Sequence, residues 1–310
     1  MDAPVALVAG GSRGLGLLVA RELLQRGHAV AICARTSADV GQAVQLLQEH
    51  GTVRGYTCDV AERDQVECML ASVVSDLGEI EVLVTVAGII QVGPANAMTL
   101  EHFDQALGTM LHGPVQLTWL VLPSMRARGH GRIGTVTSIG GVVAPPHLLP
   151  YATAKFGAVG FSEGLAAELA GTGVTSTTIV PGLIRTGSHE RALFTGDAGA
   201  EYAWFAPGAS LPLLSMRAER VAGKLVDGVL AGKPRVSLHP MTHVGTRVHG
   251  VAPATTVRLL GLMNRALPRS QVGTLAPTVQ GRQAARDLGS RVVSGLTTLG
   301  SRAAARLNQR

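Results

Sequence analysis

Short apolar runs alternate with longer amphipathic stretches along most of the chain. The runs lie at residues 5–8, 29–33, 53–56, 82–86, 132–136, 175–179 and 235–238. Each of the first six is followed by a stretch in which apolar residues recur with the spacing of one helix face. Because the runs carry apolar residues on both faces, they predict a mostly parallel sheet of about seven strands covered by helices. Ligands bind such sheets at the carboxyl ends of the strands.

The alternation stops between residues 186 and 212, called here the lid segment. Glycine, alanine and proline accompany four of the ten aromatic residues of the chain there. A long irregular segment rich in aromatic side chains is typical of a lid or a substrate wall. We therefore expect Phe194, Tyr202 and Trp204 to contact substrate. The alternative is a loop whose aromatic residues only hold it against the body of the protein.

Charge divides the chain into two parts. Residues 1–232 hold 15 Lys and Arg against 20 Asp and Glu, whereas residues 233–310 hold 12 against the single acid Asp287. The parts therefore carry −5 and +11 within a net charge of +6. We predict an α/β domain at residues 1–240 and a basic, arginine-rich helical extension at residues 241–310.

The cysteines and the N-terminal region indicate a cellular compartment. Cys33, Cys58 and Cys68 have neither the count of a disulfide framework nor the spacing of metal ligands, so we expect no metal. The first residues lack the basic and long apolar parts of a secretory signal. We predict a cytoplasmic protein, held at a membrane surface only if its extension binds one.

A glycine-rich turn follows the first predicted strand. Residues 10–16 read Gly-Gly-Ser-Arg-Gly-Leu-Gly and lead into a helical pattern. Glycine at positions 10, 14 and 16 lets main-chain N–H groups and the N-terminal dipole of a helix face a pyrophosphate without obstruction by a Cβ atom. The turn therefore predicts a nucleotide site, although glycine also serves ordinary turns.

Ser138, Tyr151 and Lys155 form the strongest chemical signal. Ser138 comes just after the fifth predicted strand, and Tyr151 and Lys155 are four residues apart on a predicted helix. This spacing places both side chains on one helix face, so we expect the ammonium to favour phenolate and lower the pKa of Tyr151. Tyr151 would then be a usable acid and base. Each residue alone also fits a turn, a packed ring or a solvated amine.

Together the turn and this triplet resemble the short-chain dehydrogenase/reductase family. The turn has the spacing of that family's TGxxxGxG motif, with Ala9 in place of the threonine, and the resemblance covers about residues 4–240. It implies a doubly wound Rossmann fold and a homodimer or homotetramer. It also implies hydride transfer between NAD(P) and a ketone or secondary alcohol. Tyr151 would be the acid and base, Ser138 would hold the substrate oxygen, and Lys155 would bind the nicotinamide ribose.

The resemblance implies further contacts with the cofactor. Asp59 would bond the adenine amine, the backbone at Pro181-Gly182 would meet the nicotinamide carboxamide, and Thr186 would cap the cofactor. The residues implied for cofactor binding are Gly10, Ser12, Arg13, Gly14, Leu15, Gly16, Arg35, Asp59, Val60, Ala87, Gly88, Tyr151, Lys155, Pro181, Gly182, Ile184 and Thr186. Few charges lie in the lid segment, which favours a largely apolar substrate.

The second predicted strand favours NADP(H) over NAD(H). It ends Cys33-Ala34-Arg35, with no acidic residue for a ribose 2′-hydroxyl. Ser12 and Arg13 fit the form of the turn that the family uses with NADP. Arg13 and Arg35 offer bidentate hydrogen bonds to a 2′-phosphate. The alternative is that Arg35 is a solvated residue at the start of a helix.

Further positions depart from the family pattern. Met110 stands where the family has an asparagine that helps to hold a water of the proton relay, and Thr85-Val86 replaces two further asparagines. Methionine offers no useful hydrogen bond, so we expect either slow turnover or a water held by Thr109 or His112. The alternative function is a nucleotide-binding regulator or scaffold with weak or no turnover.

The extension contains two apolar stripes with helical spacing. One lies within residues 256–269, with three arginines along its edge, and the other within residues 288–303. Three interpretations stay open for residues 241–310: packing on the body or on a sister subunit, peripheral contact with an anionic membrane, or contact with nucleic acid. Residues 206–310 contain no Phe, Tyr or Trp for base stacking, so we expect no nucleic-acid partner.

Overall fold

The computed structural model of the protein describes residues 3–269 and 278–309. The strands are β1 (Val5–Ala9), β2 (Ala29–Ala34), β3 (Val53–Thr57), β4 (Ile80–Thr85), β5 (Gln91–Val92), β6 (Gly131–Val136), β7 (Val174–Val180), β8 (Leu183–Arg185), β9 (Leu193–Phe194), β10 (Ser215–Arg217), β11 (Arg235–Ser237) and β12 (Val279–Gln280). The helices are α1 (Gly14–Gln25), α2 (Ser37–Leu47), α3 (Arg63–Leu77), α4 (Leu100–Leu107), α5 (Gly113–Arg128), α6 (Leu149–Glu168), α7 (Ser188–Arg191), α8 (Ala198–Gly208), α9 (Ala218–Leu230), α10 (Pro240–Val251), α11 (Pro253–Asn264), α12 (Gly281–Leu288) and α13 (Arg291–Arg306).

Among the described residues, seven strands form one parallel sheet in the order β11, β7, β6, β4, β1, β2, β3. These are the seven predicted strands, so the doubly wound α/β prediction is confirmed. Side chains of β1 alternate between the two faces of the sheet. Ala6 and Val8 pack with α1 and α9, whereas Leu7 and Ala9 pack with α3 and α5. Each face therefore carries its own hydrophobic core.

A crevice opens between the carboxyl ends of β1 and β4, because the chain leaves β1 toward β2 and β3 and then returns to β4 on the other side. The glycine-rich turn lies there. Gly10 follows β1 with a φ of +85°, and a Cβ atom on it would lie 2.5 Å from the main-chain nitrogen of Ala87, which follows β4. This close approach requires glycine at position 10.

The lid segment is more regular than the sequence analysis predicts. It contains α7, β9 and α8, so the prediction of an irregular segment was wrong. Asp197 caps α8, since its carboxylate accepts a hydrogen bond from the N–H of Ala200 at 3.0 Å. Pro207 lies in the last turn of α8, where it does not prevent the helix.

The extension divides into two parts. In the second part α12 and α13 pack against α7 and α8, and β12 pairs with β9. Ala303 and Leu307 join the core that α1 and α9 form, so packing on the body is confirmed for this part. In the first part α10 and α11 carry many exposed apolar side chains. Within residues 3–269 and 278–309, no helix has the length and apolar character to cross a membrane.

Candidate active site

Two elements bring Ser138, Tyr151 and Lys155 together. Ser138 follows β6, and α6 carries Tyr151 in its first turn and Lys155 one turn later. The Ser138 hydroxyl lies beside the Tyr151 side chain and offsets part of the effect of burial on the pKa of the phenol. Lys155 Nζ donates to the carbonyl oxygen of Val136 at 2.8 Å and lies 6.0 Å from the centre of the Tyr151 ring. The three side chains therefore converge at the carboxyl end of β6.

Main-chain contacts fix the position of Ser138. Its Oγ accepts a hydrogen bond from the N–H of Gly140 at 3.1 Å. A Cβ atom on Gly140 would lie 3.1 Å from Cε1 of Tyr151, so the missing side chain leaves room for the ring. The N–H of Ile139 donates to the carbonyl oxygen of Pro181 at 2.9 Å, which joins this turn to the end of β7.

Burial controls the protonation of Tyr151 and Lys155. Burial raises the pKa of Tyr151, and the Ser138 hydroxyl offsets part of this rise. Burial lowers the pKa of Lys155 to about 8. The expectation that the ammonium lowers the pKa of Tyr151 was therefore wrong for this arrangement, because desolvation outweighs the favourable contacts of the phenol. A raised pKa keeps the Tyr151 phenol neutral at neutral pH.

The expected position of the proton relay is apolar. A π-helical turn, Gly108–His112, joins α4 to α5, and Met110 is buried within it. Such turns occur often at functional sites. The Met110 side chain packs in one cluster with the ring of Tyr151. We expect Thr109 or His112 to hold a relay water. Thr109 is buried in the same turn, and His112 is exposed.

The glycine-rich turn has the shape that a nucleotide phosphate requires. A Cβ atom on Gly16 would overlap the carbonyl oxygen of Gly10, and Gly14 has a φ of +56°. Ser12 and Leu15 are buried beside them. Side chains larger than glycine would fill this cradle and prevent the N-terminus of α1 from approaching a phosphate, so the residues present fit a nucleotide cofactor.

Arginines gather next to this turn. Nη1 of Arg13 lies 3.1 Å from Oδ2 of Asp39, and Nη1 of Arg191 lies 3.5 Å from the same oxygen. Burial lowers the pKa of Arg13, and the charges of Arg191 and Arg35 lower it further. Nη1 of Arg35 lies 3.9 Å from Oδ2 of Asp59. The group thus contains three guanidiniums and two carboxylates, and its net charge is positive. The sequence analysis missed Arg191, because no motif spacing relates α7 to the turn.

Asp59 and Val60 follow β3 near Arg35. Oδ1 of Asp59 accepts a hydrogen bond from the N–H of Ala61 at 3.0 Å, and Oδ2 is the oxygen nearest to Arg35. Asp59 thus shapes its own turn and still presents a partly exposed carboxylate. Val60 is buried against Gly113.

Ala87 and Gly88 follow β4 beside the turn. The N–H of Ala87 donates to the carbonyl oxygen of Ala9 at 2.9 Å, which closes the end of the crevice. Gly88 is exposed, and a Cβ atom on it would lie 3.4 Å from Sδ of Met110. The exposed backbone of Gly88 is therefore accessible to a bound molecule.

The remaining predicted contacts lie at and after the end of β7. Pro181 and Thr186 are buried, whereas Gly182 and Ile184 are half-buried. Cβ of Thr186 lies 3.7 Å from the position that a Cβ atom on Gly14 would take. The structure thus brings this segment next to the glycine-rich turn.

Aromatic residues of the lid segment form a packed cluster. Phe194 and Tyr202 are buried, and their ring centres are 5.5 Å apart. This agrees with the alternative that these residues hold the lid segment against the body of the protein. Trp204 is half-buried and donates from Nε1 to Oε2 of Glu201 at 2.6 Å. Tyr151 packs against the same cluster, so the cluster borders the site. Among the three predicted substrate residues, Trp204 has the most exposed ring.

A buried His147–Glu201 pair beside this cluster was not predicted. Nδ1 of His147 lies 2.8 and 2.9 Å from the two carboxylate oxygens of Glu201. His147 has a φ of +63° and immediately precedes Leu148, the N-cap residue of α6. The pair therefore joins α8 to the start of the helix that carries Tyr151. Its members are 54 residues apart in the chain, which no local pattern reveals.

Comparison with known proteins matches mainly the first part of the chain. A family model described as short chain dehydrogenase matches residues 4–193. The chain is 34% identical over 186 residues to 3-oxoacyl-[acyl-carrier-protein] reductase FabG of Escherichia coli (strain K12), which covers 60% of this chain and 75% of that relative.

Two solved structures have a similar architecture. A short-chain dehydrogenase from Streptomyces avermitilis gives a TM-score of 0.71 at 24% identity, over 85% of this chain and 98% of that one. That likeness concerns the fold. A variant of actinorhodin polyketide ketoreductase, with NADPH, gives a TM-score of 0.67 at 30% identity, over 79% of this chain and 99% of that one.

Proposed function

This chain belongs to the short-chain dehydrogenase family and is an oxidoreductase of C=O and CH–OH groups, and on that premise we propose that it reduces an apolar ketoacyl compound with NADPH. One observation carries the proposal: Tyr151 lies beside Ser138 and one helical turn before Lys155, at the sheet edge where the glycine-rich turn lies. Proton donor, oxygen-binding hydroxyl and amine thus share one site.

The glycine-rich turn would hold the cofactor. The N–H groups at the start of α1 suit its pyrophosphate, and Lys155 would bind its nicotinamide ribose. When bound, the nicotinamide supplies the hydride.

Proton transfer follows from the side chains of the site. In the reductive direction the neutral Tyr151 phenol donates its proton to the substrate oxygen, which also accepts a hydrogen bond from Ser138. Lys155, held on the carbonyl of Val136, places a positive charge near the phenolate that remains and reduces the energetic cost of forming it. In the oxidative direction the phenolate takes the proton back.

The preference for NADP(H) rests on the arginine group beside the turn. Arg13, Arg35 and Arg191 suit a 2′-phosphate, which NAD lacks. We expect Arg35→Ala to lower kcat/KM for NADPH about ten-fold and to change that for NADH little, since a charged hydrogen bond contributes about 1.5 kcal/mol and Arg35 contacts Asp59. Arg220→Ala, an exposed arginine of α9, is the control. Equal losses with both cofactors would contradict the preference.

The apolar substrate is supported by the neighbours of Tyr151. Ile89, Ile90 and Trp204 are half-buried apolar residues in the clusters that include its ring. The relative from Escherichia coli is named for a 3-oxoacyl substrate and one structural neighbour for a polyketide. A panel of 3-oxoacyl thioesters of increasing chain length tests this, with NADPH absorbance as the readout. We expect kcat/KM to rise with chain length, and a preference for charged short ketones would contradict the proposal.

We also propose that the protein is a homodimer or homotetramer in the cytoplasm. Trp119 of α5 is 62% exposed and Phe156 of α6 is 38% exposed, which is typical of helices that meet a second copy. Light scattering should give a multiple of the 32.0 kDa chain mass. Trp119→Glu should reduce that mass, and a wild-type monomer would contradict the proposal.

Met110 favours one further candidate function, a nucleotide-binding regulator with little turnover. Its thioether fills the relay position and can neither donate nor accept a useful hydrogen bond. Tight NADPH binding without oxidation on the whole substrate panel would favour this candidate over the reductase.

A further inference from the structure

The glycine-rich turn contacts the last described residues of the same chain. These residues, Leu307, Asn308 and Gln309, are called here the tail, and all three are buried. The carbonyl oxygen of Leu307 accepts a hydrogen bond from the N–H of Gly14 at 2.8 Å. Gln309 places its Nε2 2.5 Å from where a Cβ atom of Gly14 would lie. The tail therefore fills the space that the missing side chain of Gly14 leaves.

Side-chain hydrogen bonds fix the tail in this place. Nδ2 of Asn308 donates to the carbonyl oxygen of Ser12 at 2.9 Å and to that of Asp39 at 3.1 Å. Asn308 has a φ of +53°, a conformation that asparagine tolerates better than most residues. The carbonyl oxygen of Gln309 accepts hydrogen bonds from Arg191 and Arg282.

These contacts use the groups that a nucleotide would use. A phosphate at the N-terminus of α1 needs free main-chain N–H groups, and the N–H of Gly14 is already paired with Leu307. Arg191 donates from Nε to the tail and faces Asp39 with Nη1, so its guanidinium is also engaged. A carbonyl oxygen and a phosphate oxygen cannot occupy the same place beside Gly14.

We propose that the tail and the cofactor phosphates are competing occupants of one site, so that the tail must leave the turn before NADP(H) binds. The inference rests on the proposed function, which assigns the turn to the cofactor. The apparent affinity for NADP(H) is then the intrinsic affinity reduced by the fraction of molecules whose turn is open. Any partner that holds the tail away from the turn activates the enzyme.

Two variants test the competition in the full protein. One ends after Arg306, and the other, Asn308→Ala, keeps the length of the chain and removes two hydrogen bonds. Asn264→Ala is the matched control, since Asn264 is an exposed residue of α11. NADPH binding is measured by titration calorimetry. We expect the dissociation constant to fall up to about thirty-fold in Asn308→Ala, because two hydrogen bonds contribute roughly 1 kcal/mol each, to fall at least as far in the truncated variant, and to stay unchanged in the control.

Hydrogen exchange of the wild type gives a second, direct readout. Saturating NADPH should accelerate amide exchange in residues 303–309 and slow it in residues 10–16. Equal dissociation constants for the wild type and both tail variants would overturn the competition while the proposed function stands. Failure of every variant to bind NADPH would overturn both.

A different observation concerns α11. Thr256 is its buried residue, whereas four of its apolar side chains are more than half exposed. They are Val257, Leu259, Leu262 and Met263. α11 packs against α10 and leaves this apolar surface uncovered within the described chain.

The charged residues around α11 favour one kind of partner for its apolar surface. Residues 228–286 contain no Asp or Glu, Arg258 lies in α11, and Arg265 directly follows it. A second copy of the same face would bring arginines together without any carboxylate from this stretch. An anionic bilayer offers both an apolar layer and negative headgroups. We infer that α11 binds the surface of an anionic membrane.

Sedimentation with vesicles tests this second inference. We expect binding to vesicles that contain phosphatidylglycerol, weaker binding at high salt, and none to pure phosphatidylcholine. Leu259→Ser with Leu262→Ser should abolish binding, whereas Leu213→Ser, which changes a residue that is 92% exposed outside α11, should not. Failure of the wild type to bind vesicles would overturn the inference. It would also be overturned if the double variant turned an oligomer into a monomer and still bound vesicles as the wild type does.

Discussion

Gly16 and Gly41 provide a matched pair of substitutions that tests the nucleotide cradle. Both are helical glycines, Gly16 in α1 and Gly41 in α2. A Cβ atom on Gly16 would overlap the main-chain oxygen of Gly10, which cannot rotate away, whereas a Cβ atom on Gly41 meets nothing within 4 Å. The same chemical change therefore has opposite effects at the two positions.

The expected magnitudes follow from these contacts. Gly16→Ala should lower the free energy of unfolding by roughly 1–3 kcal/mol, as overpacking does, and weaken NADPH binding at least ten-fold because the turn must shift. Gly41→Ala should raise the free energy of unfolding by about 0.5–1 kcal/mol, since alanine restricts the unfolded chain and favours helix. Urea unfolding and NADPH titration measure both effects. Wild-type NADPH affinity in Gly16→Ala would refute the assignment of the turn.

Three further predictions concern the site. Burial lowers the pKa of Lys155 to about 8, below its value in the unfolded chain, so the folded state binds fewer protons than the unfolded state above pH 8. The free energy of unfolding, measured with urea, should therefore rise between pH 8 and 10. Lys155→Met should lack this rise. Glu201→Ala should destabilise the protein by roughly 3 kcal/mol, since it leaves His147 buried without its partner, and a thermal shift under a degree would contradict this. Met110→Asn should raise kcat in the NADPH assay by supplying a hydrogen-bonding side chain, and unchanged or slower turnover would count against an impaired relay.

The sheet could be predicted because its strands carry their own signal. Val5–Ala9 is apolar on both faces, and the covered parallel sheet that this implies is the one observed. The regularity of the lid segment could not be predicted, since its glycine and proline content is also typical of loops. In the structure Asp197 caps α8, and burial of Phe194 and Tyr202 stabilises it. Packing thus decides the structure of this segment more than local propensity does.

In the candidate site, too, local sequence predicts some contacts and packing decides the others. Tyr151 and Lys155 are predictable because one helical turn joins them, and the glycine-rich turn because its residues are consecutive. Arg191 and the tail reach the turn only through the packing of α7 and α13, and no local spacing records that approach. The pKa of Tyr151 also depends on burial, which the i, i+4 spacing does not reveal.

The most direct test of the central claim is the kcat of Tyr151→Phe for NADPH-dependent ketone reduction, measured beside its NADPH dissociation constant. Removal of the phenolic proton donor should lower kcat by about 10²-fold or more, while NADPH binding stays within about two-fold of the wild type. A Tyr151→Phe variant that reduces ketones at the wild-type rate would contradict the account.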